Sequence, residues 1–178
     1  MPQSARARVI RIPRLKRAAL LVLAATAIGM LVATAAPGSA RLVWNTSPSA
    51  PAGIYYIESD GWRVGDRIAA RPSANLARDL DGRGILPLGK LLIKRVVAGE
   101  GDLVCRQGNA VTVNATAVAT ALSVSRSGAA LPVWSGCQTL GASDVLLLGE
   151  TPHSYDGRYF GATRADEIVG RVGLLVAF

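Results

Sequence analysis

The sequence predicts a mainly β, barrel-type domain behind one N-terminal transmembrane helix. Three observations carry that prediction. Short apolar and β-branched runs recur between turn residues from Gly53 to Ala177, the pattern of an all-β sandwich or barrel. Residues 18–36 hold no charged and no strongly polar side chain, and about 20 such residues span a bilayer as a helix. The cations Arg6, Arg8, Arg11, Arg14, Lys16 and Arg17 precede that run without a single anion, which is the flank that stays cytoplasmic.

Charge distribution excludes one function class. The net charge is +8, which on its face suggests nucleic acid. Beyond Arg17, however, 14 cations face 12 anions. The basicity is a tail beside an apolar segment, not a basic binding face, and no nucleic-acid-binding motif accompanies it. The chain divides into a basic cytoplasmic tail (1–17), a transmembrane anchor (18–36) and a domain of about 140 residues (41–178) on the far side. Small residues at Gly38-Ser39-Ala40 leave a cleavable signal peptide as the competing reading of the apolar run. Two cysteines, Cys105 and Cys137, lie in the exported part, where an oxidising compartment permits a disulfide. Two cysteines and one histidine make no zinc site, and neither a metal nor a cofactor is expected.

The elements follow in order. Asn45 to Tyr55 (N-T-S-P-S-A-P-A-G-I-Y) holds two prolines three apart, which exclude a regular helix and push Ser47 and Ala50 towards extended backbone. It reads as a stiff, extended loop that holds Ser49 in place; taken alone it is a Pro/Ser linker. Gly53 to Ile57 is a strand, and Arg67 to Arg71 a second that stops at Pro72. Ser73 to Leu80 is a short helix with Ser73 as N-cap. Lys90 to Val97 (K-L-L-I-K-R-V-V) is a mostly buried strand. Leu103–Arg106 and Ala110–Val113 pair as a hairpin around Gln107-Gly108-Asn109. Asn114 to Gly136 carries no clear periodicity. Asp144–Leu148 and Ile168–Ala177 complete the strands.

Two further features bear on chemistry. Lys94 and Arg95 sit inside an apolar strand and point to opposite faces. If both reach solvent, their stems merely line apolar surface. If Lys94 faces inward, desolvation lowers its pKa, and a neutral amine can take a proton from a serine hydroxyl. The second feature is His153 to Gly161, H-S-Y-D-G-R-Y-F-G. Ser154 can hydrogen-bond the lysine amine, and Asp156 with Arg158 can form a charged pair that fixes the loop. A Ser49–His153–Asp156 triad is a formal alternative, but it leaves Lys94 without a role.

The order N-x-S-P-S-x-P-x-G-I-Y, I-K-R-V-V-A-G-E-G-D and S-Y-D-G-R-Y-F-G resembles the signal-peptidase superfamily of Ser/Lys proteases, and within it the TraF-type conjugal-transfer peptidases. The likeness runs from Trp44 to the C-terminus. It implies a signal-peptidase-like catalytic domain in the periplasm, held at a bacterial inner membrane. It makes Ser49 the nucleophile and Lys94 the general base. Ser154 would orient that base, Asp156 would be a catalytic-site aspartate with Arg158 as partner, and Ser47 would help bind the oxyanion. The sequence departs from the pattern at Gly157, where Ser is common and Gly is expected to be tolerated. Pro48, between the two serines, removes a backbone donor. The resemblance implies a membrane-anchored serine endopeptidase that cleaves, and in this branch can cyclise, an exported pilin precursor. A general type I signal peptidase acting on secreted preproteins and a non-catalytic anchored β-domain of a secretion channel are the alternatives.

Overall fold

The computed structural model describes residues 41–58 and 61–178, together with helical positions at residues 19, 21–26 and 29. Among the described residues, no helix is long and apolar enough to cross a membrane. The expected anchor at 18–36 lies largely outside the described residues. Ala40–Phe178 form one compact unit.

That unit is built from two antiparallel sheets. The larger holds β1 (Arg41–Asn45), β2 (Gly53–Glu58), β3 (Arg67–Ala70), β4 (Leu92–Ala98), β9 (Asp144–Leu148), β10 (Thr163–Arg164) and β11 (Ile168–Ala177), in the order β1-β2-β11-β3-β4-β9-β10. The smaller holds β5 (Leu103–Gln107), β6 (Ala110–Val113), β7 (Thr116–Thr120) and β8 (Gly136–Thr139), in the order β7-β6-β5-β8. The ten-residue β11 pairs with both β2 and β3, and its register shifts at Leu174/Val176 and at Ile168/Gly170. Such bulges bend a strand and raise its twist, and the large sheet curls into a half-barrel.

Burial explains why some strands were easy to read. β9 sends Val145 and Leu147 into one cluster, with Ile68, Ala70 and Val96, and Leu146 and Leu148 into another, with Val104, Val111 and Leu140. Both of its faces are covered, so it reads as a continuous apolar run. Helix α1 (Ala74–Gly82) starts where expected, with Ser73 Oγ accepting from Leu76 N–H at 3.3 Å. It buries Leu80 against Leu92, Ala121, Tyr155 and Tyr159.

Other elements differ from the sequence reading. The Pro/Ser segment is not an extended run: it turns back on itself as the loop of the β1–β2 hairpin, closing at the Asn45–Gly53 pair. The sequence pattern does not mark β7 and β8, whose side chains are mostly exposed, nor the two-residue β10, nor β1, where the apolar Leu42 and Trp44 face solvent. β6 and β7 are joined at Asn114 and Ala115, with φ of 49° and 65°, the left-handed pair of a type I′ hairpin. Gly157–Phe160 is a single helical turn, α2, in place of plain loop.

Cys105 and Cys137 face each other across β5 and β8 and are bonded. The bond closes a sequence separation of 32 residues, worth about 3–4 kcal/mol in the chain-entropy model. A Cys105→Ala/Cys137→Ala protein is expected to lose about that much stability. Its urea midpoint should match that of reduced wild-type protein. Equal midpoints for oxidised wild type and variant would show that the bond contributes nothing.

Candidate active site

The β1–β2 loop is organised by Asn45, which is 7% exposed. Its amide donates to the carbonyls of Ser47, Ala50 and Pro51 at 3.0–3.1 Å, and its Oδ1 accepts from the N–H and hydroxyl of Ser47. One side chain thus satisfies inward-pointing carbonyls that a Pro-rich turn cannot pair for itself. Tyr55 donates its hydroxyl to Pro51 O at 2.7 Å from below. Glu150 N–H donates to Ser49 O at 2.8 Å from β9's end. Ser49 is held at 9% exposure.

The two loop serines touch: Ser47 Oγ and Ser49 Oγ are 2.8 Å apart. Ser47 spends its one hydroxyl proton on Asn45 Oδ1 at 2.8 Å, so Ser49 is the donor between them. In this arrangement Ser47 has no free proton to offer an oxyanion.

Lys94 points inward from β4, 3% exposed, and donates from Nζ to Ser154 Oγ at 2.6 Å. Burial lowers its pKa to about 8; Asp156 pulls the value up and Arg158 pushes it further down. Arg95, on the opposite face, instead reaches Glu150 and the Gly65 carbonyl.

Behind Ser154 lies a buried ion pair. Asp156 is fully buried and Arg158 is 3% exposed. Arg158 donates from Nε and Nη2 to the two Asp156 oxygens at 2.9 and 2.8 Å. Its remaining donors take the carbonyls of Pro152, Gly149 and Thr151. Asp156 caps α2 through Arg158 N–H and accepts from Gly149 N–H at 2.7 Å. Every side-chain hydrogen bond of the pair therefore ties the 149–158 turn to itself. The histidine triad is not formed: the Asp156 carboxylate is taken by Arg158 and two backbone amides, while His153 is exposed.

The structure brings Ser47, Ser49, Lys94 and Ser154 to the wall of one cavity of about 720 Å³, with Asp156 and Arg158 directly behind. Its other walls are largely apolar, including Trp44, Leu86, Leu91, Leu122 and Leu131. No group of metal-binding side chains is present among the described residues.

Three positioning residues escaped the sequence reading. Gly149 packs between Ser49 and Ser154: a Cβ there would lie 3.0 Å from Ser49 Cβ and 2.5 Å from Ser154 Cβ. Arg106, 1% exposed, reaches from β5 to Arg158 O at 2.5 Å and Pro132 O at 3.3 Å. Trp134 Nε1 donates to Gly157 O at 3.0 Å. The smaller sheet thus supplies a donor to Arg158 O at the end of the one-turn helix, and its loop adds a second donor to Gly157 O, which also accepts from Gly161 N–H. Gly157 is closely packed, so a larger residue needs its neighbours to shift. A Cβ there would come within 2.7 Å of Leu146 Cδ1 and 2.9 Å of Leu147 O. Asn45 lay inside the motif but had no role assigned; nothing in V-C-R-Q marked Arg106 as buried.

A buried amine held on a serine, with a second serine on the same cavity wall of a curled β-sheet, is the arrangement of a serine peptidase. Residues 14–177 match the family described as signal peptidase, peptidase S26, and the chain belongs to that family of serine hydrolases. It is similar to the plasmid transfer protein TraF of Escherichia coli, 30% identical over 136 residues that cover 70% of this chain and 77% of that protein. A signal peptidase I from Enterococcus faecalis shows a loose structural likeness, with a TM-score of 0.39 and 17% identity over 64% of this chain and 98% of the other.

Gly149→Ala is expected to displace Ser154 from the Lys94 amine and to lower kcat at least about ten-fold, the effect of misplacing a reacting group by a fraction of an ångström. KM should change little. An unchanged kcat in a folded variant would show that the close approach at Gly149 is not needed.

Proposed function

We propose that this chain is a membrane-anchored serine endopeptidase that uses a Ser49/Lys94 dyad to cleave an exported pilin precursor for conjugative transfer. The observation that carries the reading is Lys94: a buried amine with its pKa lowered to about 8, on the wall of the same cavity as Ser49. The likeness to a plasmid transfer protein supports a conjugative role. The basic tail and apolar run at 18–36 support an anchor in a bacterial inner membrane, with the domain in the periplasm.

In the proposed reaction Ser49 turns its hydroxyl from Ser47 to neutral Lys94. Ser49 Oγ bonds to the scissile carbonyl carbon as its proton passes to Lys94 Nζ. The backbone N–H of Ser49 donates to the oxyanion; one such donor is worth roughly 3–4 kcal/mol of barrier. Ser47 assists only if it releases Asn45. The C–N bond then breaks, and the lysine returns the proton to the leaving amine. Water, or the substrate's own N-terminal amine, then bonds to the acyl carbon as its proton passes to neutral Lys94; the ester bond to Ser49 Oγ breaks and Lys94 returns the proton to Oγ, giving a linear or a cyclic product. Ser154 holds the amine in line, and the Asp156–Arg158 pair fixes Ser154.

A general type I signal peptidase uses the same dyad and differs only in substrate range. A non-catalytic β-domain is set aside by the family assignment.

Two experiments test this. Mass spectrometry of the candidate pilin from cells carrying wild-type enzyme should show a shortened product. A mass lower by one water than the linear fragment marks the cyclic form. Ser49→Ala and Lys94→Ala cells should retain the precursor; normal processing by both variants would sink the dyad. A pH–rate profile is the second test. Below about 8 the amine is mostly protonated, so kcat/KM should rise about ten-fold per pH unit and level off above that value. A rate that is flat from pH 6 to 9 would exclude a lysine base.

A further inference from the structure

The cavity that holds Ser49 has charges of one sign only. Lys90, Lys94 and Arg126 line it, and among the described residues no Asp or Glu does. Lys94 is buried at the base, whereas Lys90 and Arg126 stand exposed. Neither of the exposed pair forms an ion pair among the described residues.

Of the carboxylates close to the site, Asp81 holds Leu88 N–H at 3.3 Å from outside the cavity lining, and two others are committed to cations. Asp79 accepts from Tyr155 Oη at 2.6 Å and Arg83 Nε at 2.7 Å. Glu150, outside the cavity lining, is shared by Arg67 and Arg95. Both exposed cations are carried on defined backbone. Lys90 closes a turn onto Pro87 O and leads into β4. Arg126 sits in a loop closed by the Val124–Ala130 bridge and by Ser125 N–H on Ala129 O. The apolar walls between them focus the field of these charges into the cleft.

We infer that the cleft selects a polypeptide carrying an acidic side chain close to the scissile bond, read by Lys90 and Arg126. Lys90 is four residues from Lys94 along the chain, roughly 13 Å of extended backbone. An extended substrate running along that wall therefore places its acidic residue about three to five positions from the bond that is cut. The inference rests on the peptidase reading, because it takes Ser49 and Lys94 as the reacting end of the cleft.

The test measures binding, so that it does not depend on turnover. Full-length Ser49→Ala protein is titrated with three fluorescent alanine-rich peptides. They carry Glu, Gln or Lys four residues to either side of a central Ala-Ala. The Glu peptide should bind about three- to ten-fold more tightly than the Gln peptide, and the Lys peptide more weakly, as two exposed charge pairs allow. The spread should shrink in about 0.5 M NaCl. Lys90→Glu/Arg126→Glu in the same background should invert the order. Should that protein fail to fold, Lys90→Gln and Arg126→Gln should each narrow the Glu-to-Lys ratio. Equal binding of the three peptides, no binding of any, or an order that survives charge removal overturns the inference. Wild-type protein that binds in the expected order yet cuts none of the peptides counts against the peptidase reading and leaves the charge preference standing.

Discussion

The site depends on keeping an amine neutral inside the protein. Lys94 has lost almost all contact with water, and burial alone pushes it towards the uncharged form. Asp156 opposes that push. The structure limits the opposition by giving Asp156 to Arg158 and two backbone amides, so its charge is spent locally. Arg158 adds a positive charge that works in the same direction as burial. A buried ion pair adds little to stability by itself. Here it works as a brace, since each of its side-chain hydrogen bonds closes the turn that carries Ser154.

The same economy of space governs Ser49. Its loop is tied by Asn45 from the inside, by Tyr55 from below and by Glu150 N–H at its carbonyl. Gly149 lies between this loop and Ser154, and the absence of a side chain there lets the two serines approach the same cavity from different elements. The prolines contribute stiffness, while the direction of the loop comes from the Asn45 hydrogen bonds.

The smaller sheet has a structural claim on the site as well. Arg106 and Trp134 meet the carbonyls of α2 from outside the large sheet, and the Cys105–Cys137 bond holds β5 to β8 immediately beside Arg106. A buried guanidinium that meets only carbonyls is costly to desolvate. Its place at the carbonyl end of α2, where a short helix leaves acceptors unpaired, accounts for its presence.

The sequence by itself determined the local features. Strand and helix propensity with flanking turn residues was enough for β2, β3, α1, β4, the β5–β6 hairpin, β9 and β11, even where burial departs from residue type, as at Arg106 in β5 and Leu174–Val176 in β11. The grouping of Ser49 with Lys94 and the Ser154–Arg158 box came from the order of three short motifs that together resemble a family, because each stretch alone also fits a linker, a solvent-facing lysine or an ordinary turn. Tertiary structure alone decided the rest. The identity of β1 and of the exposed strands β7 and β8 comes from their hydrogen-bonded neighbours. The tight space at Gly149 and Gly157 arises from atoms of Ser49, Ser154, Leu146 and Leu147, and contact across elements leaves no mark in the local sequence. Arg106 reads as a polar strand residue until the second sheet carries it to α2. Where Lys94 would point could be framed as one of two faces; only the packing of β4 against the 149–158 turn settled which one loses its water, and with it the amine's pKa.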